Sequence, residues 1–247
     1  MQADFPMTVV QSGRYLVRRI TCPSDLRHAQ SFRAQRFALA DYWDEDSFDG
    51  LFDHFILEER QTAETRGYFR LHRMSGADLS QSYAAQFYDL SRLSSYSGTM
   101  VELGRFCLSN DIPDPDILRL AWAAITRYVD QCDAGLLFGC SSFNGIDPAP
   151  YRSVFKYLGR DYVAPKEWAP GVKADEIFRL CPADPSDSAT IPDQRLIPPL
   201  LRTYLKMGGW VSDHAVVDPD LNTLHVFTAV EVKSIPAVRK ARLRNLV

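Results

Sequence analysis

The chain has 247 residues, 46% hydrophobic and 24% charged, which suffices for one large domain or a domain with an appended piece. A formal net charge of -3 and a pI near 6.0 exclude an overall pull toward nucleic acid. No stretch approaches the ~18 consecutive apolar residues of a membrane span, and the start, MQADFPMTVVQSG, lacks the basic and apolar regions of a signal peptide, so a cytoplasmic protein is expected. The five cysteines, at positions 22, 107, 132, 140 and 181, form no CxxC pair and are odd in number, so neither a zinc site nor a disulfide framework is implied.

Residues 14–20 (RYLVRRI) read as a short strand with basic residues woven through it. Ser24 or Asp25 is expected to cap a helix running to about residue 41, carrying Ala29, Phe32, Phe37 and Ala40, with Arg33 and Arg36 on or beside its inner face. An acidic, aromatic segment follows, DYWDEDSFDGLFDHF. Residues 53–58 and 67–73 read as strands joined by a turn, and residues 83–93 as partly helical. Residues 100–108, MVELGRFCL, read as a buried strand. After the polar turn SNDIPDPD, Asp114 as N-cap and Pro115 as first helical residue start the clearest helix of the chain, through about Cys132. Residues 135–142 (GLLFGCSS) are a nearly continuous apolar strand, as expected when both faces are covered. A short helix over 151–158 follows, then candidate strands at 161–164 and 176–180. The domain reading is a core over 1–180, a Pro/Ser/Asp-rich linker over 181–195 and a C-terminal extension over 196–247. The extension reads as a helix over 196–206, strands at 210–217 and 224–232, and a basic tail.

Three clusters carry candidate chemistry. In a flat strand Glu102 and Arg105 would fall on opposite faces. A bulge at Gly104 would bring them toward one site and free backbone N–H groups for a ligand carbonyl; the alternative is a structural ion pair or two rim residues that never meet. Asp41, Asp44, Glu45, Asp46, Asp49 and Asp53 crowd one segment, which suits either recognition of a cationic amine or a solvated acidic loop. Trp43, Phe48 and Phe52 favour a packed loop. The glycine and final glutamate are misplaced for an EF-hand. Arg152, Lys156 and Arg160 recur every four residues, a face for an acidic partner or an ordinary solvated stripe. His54 and His72 have no partner at catalytic or metal-ligand spacing and read as structural; no metal site is expected.

Taken together, Arg33 and Phe37 in ArgxxxPhe, then DSFDGLFDHF, FRL at 69–71, ELGRFCL, LLFGCSSFNGIDP and the C-terminal LIPPLLRTYLKMGGWVSDHAVVDPDLNT resemble the ornithine–acyl-carrier-protein N-acyltransferases. The likeness spans roughly residues 14–235, with the motifs in order. The N-terminal two-thirds is more distantly similar to acyl-homoserine-lactone synthases, and both groups are similar to GNAT acetyltransferases.

The resemblance implies an α/β (α+β), GNAT-like fold: a mixed, mainly antiparallel central sheet flanked by helices, with a C-terminal extension. It implies transfer of a 3-hydroxyacyl chain from acyl carrier protein to the α-amino group of ornithine, giving a lyso-aminolipid. No permanently bound cofactor is implied; the phosphopantetheine of acyl carrier protein is the donor arm. The glycine-rich phosphate loop of GNAT enzymes is absent, with residues 109–116 in its place, which speaks against coenzyme A as donor. Other readings are the same reaction on another amino acid such as glutamine, a homoserine-lactone synthase, and a non-catalytic module that binds acyl carrier protein.

On this resemblance Glu102 is the expected general base and Arg105 its electrostatic organiser, with backbone N–H groups near Gly104 and Phe106 holding the oxyanion. Arg33, Phe37, Asp46, Asp49, Asp53 and Arg70 are expected to shape the amino-acid pocket. Arg152, Lys156 and Arg160 are expected to dock the carrier protein. Transfer is expected to be direct, with Cys107 as the alternative covalent nucleophile. The tail from Val238, with Arg239, Lys240, Arg242 and Arg244 beside Leu243, Leu246 and Val247, is expected to touch the inner membrane surface or to be a solvated end.

Overall fold

The computed structural model describes residues 8–39, 41–109, 114–180 and 192–245. Most of the expected linker and the last two residues of the tail lie outside these. The chain divides into two compact units, residues 1–73, 101–134 and 237–247 in one and residues 74–100 and 135–236 in the other.

The first unit opens with β1 (Thr8–Ser12) and β2 (Tyr15–Arg19), then α1 (Pro23–Arg36), β3 (Asp53–Glu59) and β4 (Thr65–Met74). Neither Ser24 nor Asp25 caps α1: Cys22 is the N-cap, Pro23 occupies the first turn, and the Asp25 carboxylate is taken by Arg18. Proline suits the first helical turn because its missing N–H would be unpaired there anyway. β1 pairs with β2, β2 with β3 and β3 with β4, all antiparallel. Alternation divides the faces of these strands. Ile56 and Tyr68 pack with Ala29 of α1 and with Cys107. Phe55 stacks on Phe69 at 5.1 Å and meets Tyr128 edge-on at 5.7 Å.

Tyr128 belongs to α2 (Pro115–Gln131), which starts as its sequence implies: the Asp114 carboxylate accepts from the Asp116 N–H at 2.9 Å, with Pro115 following. Buried Ile117, Leu120, Ala121, Ala124, Ile125 and Tyr128 form its inner stripe. The basic tail carries a helix. It spans Ala237–Arg244, and Arg244 forms a two-pronged pair with Asp130 of α2 at 2.7 and 2.8 Å.

In the second unit, residues 83–93, expected to be partly helical, form short 3-10 turns around β5 (Tyr88–Asp89). β6 (Thr99–Leu108) lies mostly in the first unit, and β7 (Ala134–Asn144) in the second. After β7 come α3 (Arg152–Asp161), β8 (Gly171–Val172), which pairs with β5, and β9 (Ile177–Arg179). The strand expected at 161–164 is reduced to one bridge, between Val163 and Val211. α4 (Pro199–Lys206) is shorter than expected because Pro198 and Pro199 fix its start. β10 (Trp210–Asp218) and β11 (Thr223–Glu231), from the expected extension, pair antiparallel with β9 and β7 respectively, and with each other. Among the described residues no helix is long and apolar enough to cross a membrane.

Candidate active site

The register of β3 and β4 sets opposite one another His54 and Arg70, and Ile56 and Tyr68. Directly opposed residues of an antiparallel pair share a face, so His54, Tyr68 and Arg70 all project toward the side that α1 covers. The buried Arg33 of α1 joins them there. The loop between α1 and β3 carries the acids.

Three arginines from three elements hold three aspartates of that loop. Arg33 Nε donates to Asp44 Oδ2 at 2.9 Å, and its Nη1 to Asp49 Oδ1 at 2.7 Å and to the Tyr68 hydroxyl at 3.1 Å. Its Nη2 also donates to the Asp44 carbonyl. Arg70 Nη1 donates to Asp46 Oδ1 and Asp49 Oδ1, both at 2.6 Å, and Nη2 to Asp46 Oδ2 at 2.8 Å. Arg105 Nε donates to Asp44 Oδ2 at 2.9 Å, and its Nη2 lies 3.1 Å from Asp46 Oδ2. Each guanidinium also lies over a ring: Arg33 over Tyr68 at 5.2 Å, Arg70 over Phe52 at 4.6 Å, Arg105 over Phe37 at 5.7 Å. Buried charges persist only when paired in this way.

The electrostatics follow from the pairing. Burial alone would raise the Asp49 carboxyl, but the hydrogen bond and charge of Arg33 outweigh it and hold the group at about 2. Asp46 is likewise depressed, against its burial, by Arg70. Asp46 and Asp49 are thus held ionised at neutral pH by the arginines beside them. Of the three aspartates Asp46 keeps the most exposed side chain, 19% against 5% for Asp44 and 8% for Asp49.

β6 delivers the remaining groups. A side chain at Gly104 would come within 3.2 Å of Arg70 Nε, so the missing Cβ is what lets the Arg70 guanidinium lie across this strand. The backbone irregularity expected at Gly104 falls one residue later: Arg105 has φ 49°. The left-handed region costs a non-glycine residue about 1–2 kcal/mol, and the ion pairs to Asp44 and Asp46 offset that cost. As a result Arg105 and Gly104 both address the Arg70 side, where strict alternation would separate them. Glu102, two positions before Gly104, is aligned by alternation with that same side, and it is buried at 1% exposure. Phe106 stacks on Phe69 at 6.2 Å, on the opposite face from the cluster, so only its backbone can serve the site.

Asp53 is not brought to the cluster. Its face of β3 is the other one, where it takes Arg19 Nη2 at 2.5 Å and the Tyr128 hydroxyl at 2.7 Å. His54, read from sequence as an isolated structural residue, is instead woven into the cluster. Its Nε2 donates to the Asp49 carbonyl at 2.7 Å, so its Nδ1 in the neutral ring accepts from the Tyr68 hydroxyl at 2.5 Å. Burial lowers the His54 pKa and keeps the ring neutral. Tyr68 and Gln30, which donates to Asp49 Oδ2 at 3.0 Å, were not singled out, and Asp44 was named only among the acids of its segment. The period-two spacing of Tyr68 and Arg70, which puts both on one strand face, is the signal by which the tyrosine could have been found. Burial pushes the Cys107 thiol up to about 12, which leaves it protonated and unsuited to nucleophilic attack.

Arg152, Lys156 and Arg160, the residues expected to dock the carrier protein, lie on α3 in the second unit. Arg152 and Lys156 are exposed, while Arg160 is partly buried and engaged by Asp161 through bonds of 2.7 and 2.8 Å.

Residues 27–123 match the acetyltransferase (GNAT) domain family, a span that contains the whole Arg–Asp cluster, Glu102 and Arg105. The L-ornithine N(alpha)-acyltransferase of Rhodobacter capsulatus is 28% identical over 196 residues, covering 77% of this chain and 75% of that protein. The protein of the same name from Brucella abortus is 27% identical over 204 residues, covering 78% of this chain and 71% of that one. Among solved structures, a CoA-dependent acyl-homoserine lactone synthase aligns with a TM-score of 0.47 at 13% identity, covering 94% of this chain and 88% of its own.

Proposed function

We propose that this chain, which carries a GNAT acetyltransferase domain, is an N-acyltransferase that joins an acyl group to the α-amino group of ornithine. The observation that carries this reading is similarity over more than three-quarters of the chain to proteins that share that one name, at 26–28% identity. The donor is an acyl thioester on the phosphopantetheine arm of acyl carrier protein, and the product is a lyso-aminolipid.

Glu102 takes a proton from the substrate ammonium, directly or through a water, so that the amine attacks as the neutral species. Nitrogen adds to the thioester carbonyl, and backbone N–H groups near Gly104–Phe106 receive the developing oxyanion. The tetrahedral species collapses, the carbon–sulfur bond breaks, and the phosphopantetheine thiol leaves with a proton as the amide forms. The Arg–Asp cluster supports this chemistry by fixing the loop that walls the amino-acid pocket. Asp46, the aspartate with the open edge, receives the cationic end of ornithine, while Arg33, Arg70, Arg105, Asp44 and Asp49 hold it in place. Arg152 and Lys156 form the contact for the acidic carrier protein. The helix Ala237–Arg244, with Arg239, Lys240 and Arg242, supplies a basic surface for an anionic leaflet that receives the amphiphilic product.

The test is lipid profiling by mass spectrometry in a bacterial host that makes no aminolipid. A new amide-linked species with the head-group mass of ornithine supports the reading. A different head-group mass replaces the acceptor, and no new amide from a well-expressed protein rejects the reaction.

A further inference from the structure

Asp49 is held twice by the same arginine. Arg33 Nη1 donates directly to its carboxylate at 2.7 Å, and the same nitrogen donates to the Tyr68 hydroxyl at 3.1 Å. Tyr68 gives its own proton to His54 Nδ1 at 2.5 Å, and His54 Nε2 donates to the Asp49 carbonyl at 2.7 Å. The bonds form a closed circuit, all donating in one direction. It ends on the backbone of the residue whose side chain Arg33 grips. Its members come from α1, β4, β3 and the acidic loop, all within the first unit. Tyr68 and His54 are both buried, so a broken link leaves a buried polar group unpaired.

The circuit ends next to Asp46. The Asp49 N–H donates to the Asp46 carbonyl at 3.1 Å, and the Phe48 N–H to Asp46 Oδ1 at 3.0 Å. Arg70 Nη1 bridges the two carboxylates, at 2.6 Å from each. Fixing the Asp49 peptide therefore fixes the turn 46–49, and with it the Asp46 carboxylate. The ion pairs do not achieve this alone. A guanidinium follows a carboxylate through side-chain rotation, whereas a hydrogen bond to the Asp49 carbonyl sets the peptide plane itself.

The direction of the circuit requires a neutral His54 with its hydrogen on Nε2. The titratable and charged groups that face this ring are Tyr68 and Arg70 of β4, Arg33 of α1 and Asp49 of the loop. Burial lowers the His54 pKa most, Asp49 opposes this, and the charges of Arg33 and Arg70 add to the lowering. A proton added at Nδ1 would meet the phenol hydrogen. The Tyr68 oxygen would then lie between two donors, Arg33 and His54, and its own hydrogen would lose its acceptor. A third positive charge would also stand beside Arg33 and Arg70.

We infer that His54 and Tyr68 are positioning residues for the amino-acid substrate: acting through the Asp49 backbone, they set the Asp46 carboxylate that takes its cationic end. This role rests on the acyltransferase reading above and extends it to two residues that do not touch the substrate. Proton removal is the task of Glu102, so the effect of the circuit falls on KM for the amino acid rather than on kcat.

The experiment measures kcat, KM for ornithine and KM for an acyl-carrier-protein thioester from pH 8 to pH 5. The full chain is compared with Tyr68→Phe, His54→Leu and His54→Gln, each checked for cooperative unfolding. Tyr68→Phe and His54→Leu break the circuit and should each raise KM for ornithine roughly threefold to tenfold, the equivalent of one hydrogen bond. Their kcat and donor KM should stay within about twofold of wild type. Glutamine places an N–H where Nε2 stands and does not titrate, so His54→Gln should restore most of the ornithine KM at pH 8. The wild-type KM for ornithine should then rise relative to that of His54→Gln as pH falls below 6.5. That ratio cancels the titrations of the substrate amine and of Glu102, which both enzymes share. A merely structural role would move both KM values and kcat together and leave the ratio flat. A folded Tyr68→Phe with an unchanged KM for ornithine, or a ratio that stays flat down to pH 5, overturns the inference. Either comparison decides alone should the variants of the other fail to fold. If the wild-type chain does not acylate ornithine at all, the acyltransferase reading fails and the positioning role falls with it.

Discussion

Arg33 Nη1 donates to Asp49 Oδ1 at 2.7 Å, between side chains that are 0% and 8% exposed. Asp49 is also claimed by Arg70 and Gln30, so one carboxylate ties α1, β4 and the acidic loop together.

This pairing makes stability depend on pH in a defined direction. The Asp49 carboxyl is depressed from an ordinary 3.8 to about 2, so its contribution is fully present above about pH 4 and is lost as pH falls through 2. A shift of that size corresponds to about 2 kcal/mol. The histidines act at higher pH with the same sign. His54 and His225 have lowered pKa values, so the unfolded chain binds more protons, and stability declines as pH falls below about 6.5. Urea unfolding from pH 8 to pH 3 should show a first loss below pH 6.5 and a second below pH 4. Asp49→Asn should flatten the second loss while lowering stability at pH 7 by about 3 kcal/mol, because Arg33 and Arg70 lose a buried partner.

Glu102→Gln should retain the fold and lose most turnover. The exchange is nearly isosteric and removes only the proton acceptor, which is worth roughly a hundredfold to ten-thousandfold in rate. Single-turnover assays over a range of pH are the measurement. A rate within a few-fold of wild type takes Glu102 out of the role of base.

Gly104→Ala should lower stability and acyl transfer together. The added carbon meets Arg70 Nε at 3.2 Å and Cγ at 3.4 Å, and Arg70 is held by Asp46 and Asp49, so it cannot retreat without stretching those pairs. Overpacking of this kind costs about 1–3 kcal/mol. A lower urea midpoint with an unchanged slope is expected; an unchanged midpoint would mean that the loop follows Arg70 without strain.

Cys107→Ala should leave acyl transfer largely intact, because a thiol pushed up to about 12 contributes no thiolate at neutral pH. Mass spectrometry of the quenched enzyme should show no acyl adduct on Cys107. A folded variant without activity would restore the covalent route.

The sequence by itself determined the secondary structure where local chemistry speaks with one voice. Asp114 and Pro115 mark the start of α2 because capping and proline placement are satisfied within a single turn. The apolar runs of β7 and β11 announce buried strands because burial on both faces demands them. The crowding of acids between residues 41 and 53, the glutamate and arginine of residues 100–108 and the family resemblance placed Arg33, Asp46, Asp49, Arg70, Glu102 and Arg105 on the list of functional candidates. What they left open was the identity of those partners, because pairing across strands depends on register and on the face each residue takes. Only the tertiary structure showed that the β3–β4 register sends His54 into the cluster and Asp53 away from it. Only the tertiary structure placed the left-handed backbone on Arg105 rather than on Gly104. A glycine tolerates that geometry at less local cost, so local propensity pointed there; the ion pairs to Asp44 and Asp46, made by residues some sixty positions away in sequence, outweigh it.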